Sequence, residues 1–203
     1  GIDSQNDSFL QETAVNQPQT QTVEYWANEL IITETDIEQI YNHFLESERP
    51  QTAAQIARII IAYRVATERN RIKQLLVGRS VYQPKDSHQV GDEIVFPSLR
   101  FTYGTVRSVR DGYDPRYGHY SVLAVEIDGK SREFASNLPG EHMLNMENGS
   151  TFDPLADVDL DEMNQLYGPL VTQTVIEALG TRNEFVRLGK LWFVKALMAE
   201  VNV

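Results

Sequence analysis

One stretch of the sequence, from Val90 to Asn137, restricts the fold more than any other. It alternates short runs rich in β-branched and aromatic residues with turn signals, and the dipeptide Asp128-Gly129 is typical of a two-residue hairpin turn. Short strands joined by tight turns predict a small antiparallel barrel. The stretch has no sequence motif of a metal site or a nucleophile, so it predicts a module that binds rather than one that catalyses.

The composition excludes several classes of protein. The chain has 203 residues and no cysteine, which removes disulfide bonds, thiolate metal sites and cysteine catalysis. No segment approaches the roughly 18 consecutive apolar residues of a membrane helix. No basic segment followed by an apolar one indicates a secretory signal. We therefore expect a cytoplasmic protein that has no membrane partner.

The net charge of −11 is unevenly distributed along the chain. Residues 22–50 contain seven acids and a single base, whereas residues 51–80 contain six bases and one acid. Binding to nucleic acid depends on contacts between basic side chains and phosphates, so the chain as a whole is a poor DNA ligand. Only a local basic patch could bind DNA.

The first part of the chain predicts a leader and a helical domain. Residues 1–21 are rich in polar residues without an apolar period, which predicts a flexible leader. A capping box at Thr35-x-x-Glu38 opens an amphipathic helix, and a second one at Thr52-x-x-Gln55 opens an uninterrupted helical segment up to Val77. Two helices joined by a tight turn predict a winged-helix-like domain over residues 22–79, although any two-helix packing unit would show this pattern.

Residues 148–203 predict a second winged-helix-like domain. Its helical pattern is interrupted at Gly168-Pro169. After the helix, Phe185–Leu188 pairs with Leu191–Val194 as a tight hairpin, which corresponds to the wing of such a domain. The predicted fold is therefore α+β, with winged-helix-like units on either side of an SH3/Tudor-like β-barrel over residues 80–147.

Two segments resemble domains of transcription proteins. The run Val90-Gly-Asp-Glu-Ile-Val-Phe-Pro97, followed by Gly104-Thr-Val106 and Tyr120-Ser-Val-Leu-Ala-Val125, resembles the Tudor-like RNA-polymerase-interaction domain of the CarD family and is also similar to KOW-type barrels. Phe185–Phe193 is similar to the wing of the RNA polymerase delta subunit. The sequence departs from the CarD pattern at Ser98–Tyr103, because the family has His-Gly soon after its proline, and in the loop before Tyr120.

These resemblances imply a non-enzymatic, transcription-associated binding protein. Its barrel would dock on RNA polymerase or another protein by adding an edge strand to a sheet of the partner, and a winged-helix unit would contact double-stranded DNA. The alternative is a protein-interaction or assembly module without a nucleic-acid role, which the acidic charge favours. The sequence finishes in Ala199–Val203 with neither a helix cap nor a polar tail, which fits a longer protein whose further part carries an activity.

Candidate binding residues fall into two groups. Tyrosines beside an arginine in the long polar loop 110–119, with two aromatic residues before it, are typical of a protein contact: Phe101, Tyr103, Tyr113, Arg116 and Tyr117. The candidate DNA contacts are bases of the second helix and of the wing: Arg58, Arg64, Arg69, Arg71, Lys73, Arg187 and Lys190. Each group also has a structural interpretation, with tyrosines folded over the end of the barrel and bases on a solvated helix face.

The sequence predicts no catalytic residue, metal site or cofactor. The four histidines lack metal-ligand spacing, and the sequence has neither a glycine-rich phosphate loop nor a Gly-x-Ser-x-Gly motif. A metal-dependent nuclease built on Asp114, Glu126 and Lys130 is the enzymatic alternative. The hairpin turn at Asp128-Gly129 argues against it, because the turn removes Lys130 from the middle of a strand.

Overall fold

The computed structural model of the chain describes residues 17–139 and 152–198. The expected α+β class is confirmed. The chain divides into a helical unit, residues 19–69 and 155–203, and a β unit, residues 1–18 and 70–154. In chain order, the α-helices and strands of the described residues are α1 (Glu34–Ser47), β1 (Gln51–Thr52), α2 (Ala53–Leu75), β2 (Ser80–Val81), β3 (Glu93–Phe96), β4 (Thr102–Asp114), β5 (Gly118–Ile127), β6 (Lys130–Ser136), α3 (Leu160–Gly180), β7 (Phe185–Leu188), β8 (Leu191–Val194) and α4 (Lys195–Met198).

The helical unit is built from two segments that are distant in the sequence. Its antiparallel sheet has the order β1-β8-β7, in which Gln51 lies opposite Trp192 and Phe185 lies opposite Val194. Helices α1, α2 and α3 enclose one core with this sheet, and its most buried members include Trp26, Ile40, Phe44, Ile56, Ile60, Val171, Val175, Leu179 and Val194. The segments that the sequence treats as two winged-helix-like domains therefore share one sheet and one core.

The helix boundaries confirm one capping box and correct another. At the start of α2, the Thr52 N–H donates to Gln55 Oε1 (2.9 Å), and the Gln55 N–H donates to Thr52 Oγ1 (3.2 Å). The helix then runs unbroken, as predicted. The box predicted at Thr35-x-x-Glu38 is wrong, because α1 begins two residues earlier with Thr33 as its N-cap. There the Thr33 N–H donates to Asp36 Oδ2 at 2.8 Å.

The predicted break at Gly168-Pro169 is also wrong, since α3 continues through both residues. A proline removes one backbone hydrogen bond and crowds the carbonyl four residues earlier. Each half of α3 nevertheless has buried apolar residues, such as Met163 at 4% exposure before the proline and Val171 at 0% after it. Burial of both halves in one core holds the helix together across the proline.

The segment before α1 is attached to α2. The N–H groups of Gln19 and Thr20 both donate to the Glu68 carboxylate at 3.1 Å, and Thr20 Oγ1 donates to it at 2.6 Å. Trp26 Nε1 donates to the Thr20 carbonyl at 2.9 Å. The expected flexible leader thus ends earlier than residue 21, because the polar residues Gln19 and Thr20 satisfy a buried carboxylate. Residues 1–16 lie outside the described residues.

The β unit contains a five-stranded sheet of order β2-β3-β4-β5-β6, in which only the β2–β3 pair is parallel. One face buries a core of Ile94, Phe96, Val106, Leu123, Val125 and Ile127. The described residues form no closed barrel, because β2 is only two residues long and does not pair with β6. Two backbone hydrogen bonds, Asn137 N to Asp86 O and Leu138 N to Pro84 O (both 2.9 Å), link the two edges at one end.

Local geometry in this sheet explains two glycines and corrects one loop. The predicted turn at Asp128-Gly129 is confirmed, with φ of 50° and 75°, the left-handed values that such a turn requires. At Gly104 a Cβ atom would approach Val125 Cγ1 to 2.5 Å, so any side chain there would force its neighbours to shift. The long loop predicted over residues 110–119 is wrong, because β4 and β5 stay paired as far as Asp114 and Gly118.

Within residues 17–139 and 152–198, no helix has the length and the apolar character that crossing a membrane requires.

Candidate functional site

The candidate site is the outer part of the β4–β5 hairpin, residues 107–120, which we call the arm. The last pair between β3 and β4 is Glu93 with Thr105, followed by a 2.8 Å hydrogen bond from Gly91 N to Val106 O. On the other side, the last pair between β5 and β6 is Ser121 with Ser136. From Gly112 to Tyr120 the arm is therefore a two-stranded ribbon. Along the whole arm, the outer edge of β4 has no strand partner among the described residues. Backbone groups on such an edge are open to pairing with another chain.

The two faces of the arm differ in how well they are covered. Val109, Asp111 and Tyr113 continue the face that buries the core, since Val109 lies opposite the fully buried Leu123. Beyond the core this face is open: Val109 is 40% exposed and Tyr113 is 64% exposed, with the Tyr113 ring 5.0 Å from that of His119. The core-facing surface of the sheet thus extends into solvent.

The opposite face of the arm is closed by a tyrosine. Gly112 pairs with Tyr120, and a Cβ atom at Gly112 would lie 2.9 Å from the Tyr120 ring. The ring therefore packs on the glycine backbone, and this contact stiffens a ribbon that no third strand supports. Two-stranded ribbons are marginal on their own, so such a contact keeps the arm extended.

The tip of the arm is held by Asp114. Its carboxylate accepts hydrogen bonds from the Arg116 N–H (2.8 Å), Nε (3.1 Å) and Nη2 (3.1 Å). These bonds from Arg116 hold the pKa of Asp114 below its ordinary value. The Arg116 guanidinium also lies 5.4 Å from the ring of Tyr117, which is 43% exposed. Three of the five predicted protein contacts, Tyr113, Arg116 and Tyr117, are thus brought together at the tip.

The other two predicted protein contacts lie elsewhere. The side chain of Tyr103 is 43% exposed near the start of β4, and the Arg79 guanidinium stacks 3.9 Å from its ring. Phe101 is 3% exposed, and its ring centre lies 6.1 Å from that of Phe152. Phe101 is therefore an interior residue, whereas Tyr103 keeps an accessible ring edge.

The predicted DNA contacts do not form one set. Arg71 and Lys73 belong to the part of α2 in the β unit, and the others belong to the helical unit. Arg58 pairs with Asp161 at 2.6 Å. In the β7–β8 hairpin, Arg187 lies 5.8 Å from the Trp192 ring and donates from Nε to the Gly189 carbonyl (3.0 Å). The remaining positions are Arg69, half-buried, and Arg71, Lys73 and Lys190, exposed.

Arg64 has an internal structural contact. Its guanidinium donates to both Asp36 carboxylate oxygens (2.9 and 2.6 Å), to the Tyr25 hydroxyl (2.8 Å) and to the Ile31 carbonyl (2.6 Å). The Asp36 side chain is fully buried and that of Arg64 is 19% exposed. Arg64 thus ties α2 to the start of α1, and its donors are directed inwards rather than to an external phosphate.

The structure separates the carboxylates of the nuclease alternative. Asp114 pairs with Gly118 at the tip of the hairpin, whereas Glu126 pairs with Thr105 at its base. These two levels are eight residue-to-residue steps apart along β5, which corresponds to about 27 Å. Glu126 accepts a hydrogen bond from Arg107 Nε (3.0 Å) instead. No cluster of three or more potential metal ligands occurs among residues 17–139 and 152–198.

Sequence reasoning missed Val109 and the open edge of β4, because it treated residues 110–119 as a loop. A signal was present: Val109, Asp111 and Tyr113 alternate with a strand period, and Asp114-Pro115 with Gly118 marks a turn.

Comparisons with protein-family models, with curated proteins and with solved structures find no match to this chain.

Proposed function

We propose that this chain is a non-enzymatic, transcription-associated binding protein that docks on a protein partner through the arm. The observation that carries the proposal is the open outer edge of β4, next to the exposed side chains of Val109 and Tyr113. A partner strand added to this edge would gain main-chain hydrogen bonds, and the alternate side chains would supply specificity. Nothing in the arm requires a chemical step.

We also propose finer fold relationships for the two units. The curled sheet, with its edges linked at residues 84–86 and 137–138, fits an incomplete SH3/Tudor-like barrel. The helical unit fits a single winged helix, because its elements follow in the chain order α1-β1-α2 and then α3-β7-β8, and its sheet has the order β1-β8-β7. The β unit is inserted in the sequence between the second and the third helix of this winged helix. In this interpretation β7–β8 is the wing and α3 occupies the position of a recognition helix.

RNA polymerase is the first partner to test. The residues that resemble the polymerase-interaction domain of the CarD family occupy β3, the start of β4 and most of β5, so they include the sheet from which the arm projects. Another protein that offers an open strand would satisfy the same geometry. The arm carries Arg110 and Arg116 and two tyrosines, residue types that are enriched at protein interfaces.

Charge argues against the helical unit as a major-groove reader. Helix α3 contains Asp161, Glu162 and Glu177 and no basic residue. A recognition helix without a base would repel the phosphates on both sides of the groove. A DNA contact of the wing, through Arg187 and Lys190, is therefore at most an addition to protein docking.

Surface-immobilised chain titrated with RNA polymerase core enzyme tests the proposal. Truncation of a central interface tyrosine costs about 2 kcal/mol, so Tyr113→Ala is expected to raise the Kd about 30-fold. Val109→Lys should weaken binding as well, because it places a charge in the docking face. The matched control is Val90→Lys, since Val90 is 64% exposed in the same unit but lies outside the arm.

The outcomes separate the alternatives. Equal binding by Tyr113→Ala, Val109→Lys and Val90→Lys would refute the arm as the docking site. Absence of polymerase binding would refute the polymerase partner. A titration of labelled duplex DNA at low and moderate salt tests the wing, and binding that survives Arg187→Glu with Lys190→Glu would contradict a wing contact.

A further inference from the structure

The β7–β8 hairpin of the helical unit has two apolar faces. Its register places Phe185, Arg187, Trp192 and Val194 on one face and Val186, Leu188, Leu191 and Phe193 on the other. The first face buries Phe185, Trp192 and Val194 in the core. The second, which we call the outer face, carries only apolar side chains, yet Leu188 is 55% exposed and Leu191 is 37% exposed. Single exposed apolar residues are ordinary, but here two exposed leucines lie opposite each other, and the half-buried Val186 and Phe193 extend the same face, which indicates a contact surface.

The outer face continues into a groove of about 400 Å³. Phe193 belongs to both, and the groove is lined otherwise by the end of α1, the turn before β1, and α4. Its apolar lining consists of Phe44, Pro50, Phe193, Val194, Leu197 and Met198, and its rim carries Glu48 and Arg49. The hairpin end with Leu188 and Leu191 therefore projects at one end of this surface, and a depression with apolar walls lies at the other.

We propose that the outer face and the groove together form a two-fold interface between two copies of this chain. A two-fold interface brings a patch against itself, so the patch must contain its own complement. In this patch, the projecting side chains of Leu188 and Leu191 are complementary to the groove. Strand β8 runs from Leu191 towards the groove over about 10 Å. A two-fold axis near Phe193 therefore places Leu188 and Leu191 of each copy over the groove of the other copy.

Charges at the two ends of the surface support a second copy as the occupant. Lys190 lies in the hairpin turn between the two leucines and forms no ion pair with any described residue. Glu48, on the groove rim, is also without an ion pair in the described part of the chain. The two-fold arrangement places Lys190 of one copy beside Glu48 of the second. Arg49 on the same rim opposes this attraction, and the charge swap below tests whether the attraction between Lys190 and Glu48 outweighs it.

Sedimentation velocity of the intact chain over a wide concentration range tests the proposal. The chain has a mass of 23.1 kDa, so the sedimenting mass is expected to rise with concentration towards twice that value. Leu188→Asp should raise the dimer dissociation constant at least about tenfold, since it buries a charge in the apolar contact. Leu166→Asp on α3 is the matched control, because Leu166 is 61% exposed in the same unit but lies outside the surface. A melt followed by tryptophan fluorescence checks that both variants remain folded.

The charge swap adds an independent readout. Lys190→Glu and Glu48→Lys should each weaken the dimer by up to about 30-fold, and the double variant should restore it. A two-fold interface contains each pair twice, and an exposed pair contributes up to about 1 kcal/mol. Wild-type chain that stays at 23.1 kDa at its solubility limit would overturn the proposal. So would a Leu166→Asp effect equal to that of Leu188→Asp, or a double charge variant weaker than both single ones.

Discussion

The contact between Arg64 and Asp36 provides the sharpest test of how the helical unit is held together. Arg64→Met keeps the length of the side chain and removes the four donors described above. Asp36 then keeps only the hydrogen bonds from the Thr33 N–H (2.8 Å) and Oγ1 (2.9 Å). A fully buried carboxylate would lose its only described cationic partner.

The structure sets the size of the effect. Removing one partner of a buried ion pair costs about 3–5 kcal/mol, because the remaining charge stays desolvated. Two features favour the low end: the Arg64 side chain is 19% exposed, and the donors of Thr33 remain. We therefore expect a loss of about 3 kcal/mol, which for a unit of this size lowers the Tm by at least about 12 °C.

Tryptophan fluorescence measures this unit selectively. The chain has two tryptophans, Trp26 and Trp192, and both are buried in the helical unit, at 1% and 4% exposure. The matched control is Arg58→Met, the same substitution in the same helix. Arg58 pairs with Asp161, but their side chains are 56% and 80% exposed, so the expected loss is below about 1 kcal/mol.

Equal losses from Arg64→Met and Arg58→Met would refute the reasoning, because burial would then make no difference. A second result is expected from Arg64→Met combined with Asp36→Leu. Removing both charges should recover part of the loss, since no buried charge is left without a partner. A double variant less stable than Arg64→Met alone would contradict this account.

Three further predictions concern single positions. Gly104→Ala should cost the β unit about 1–3 kcal/mol through overpacking, measured by hydrogen exchange of the sheet amides; unchanged exchange would contradict the clash at that position. Burial raises the pKa of Tyr82 to about 12, so its contribution to stability is present below pH 10 and is lost as the pH rises through about 12. Ultraviolet titration of wild type against Tyr82→Phe should show one phenol with that midpoint. The hydrogen bond from Arg182 lowers the pKa of Glu34 from 4.5, so this pair stabilises the fold above that pH and is lost as the pH falls through the lowered value. Acid unfolding followed by tryptophan fluorescence should therefore depend less steeply on pH in Arg182→Gln, and an unchanged slope would contradict the pairing.

Features that depend on neighbouring residues could be predicted from the sequence. The Thr52-x-x-Gln55 box, the uninterrupted α2 and the turn at Asp128-Gly129 each require only residues within four positions of one another. The hairpin Phe185–Leu188 with Leu191–Val194 is similarly local and is confirmed.

Features that depend on residues distant in the sequence could not be predicted. Two overlapping capping-box patterns start at Thr33 and at Thr35. The helix uses the pattern that starts at Thr33, because the carboxylate of Asp36 in that pattern is bound by Arg64, which lies 28 positions later. The pairing of β1 with β8 joins the two ends of the helical unit, but two residues are too few to show a strand period. Contacts between distant residues also determine which side chains are exposed. For this reason the sequence pattern alone could not exclude Arg64 and Phe101 as candidate contacts.

The division of the helical unit into residues 19–69 and 155–203 has a consequence for synthesis of the chain on the ribosome. Helices α1 and α2 emerge first, and the core positions Ile40, Phe44, Ile56 and Ile60 lack the cover that α3 and the β7–β8 hairpin later supply. At 5–20 residues per second, the chain between residues 69 and 155 takes roughly 4–17 s to appear. During that interval, in which the β unit itself is synthesised, the nascent chain presents an apolar helix pair, which is the kind of surface that chaperones bind.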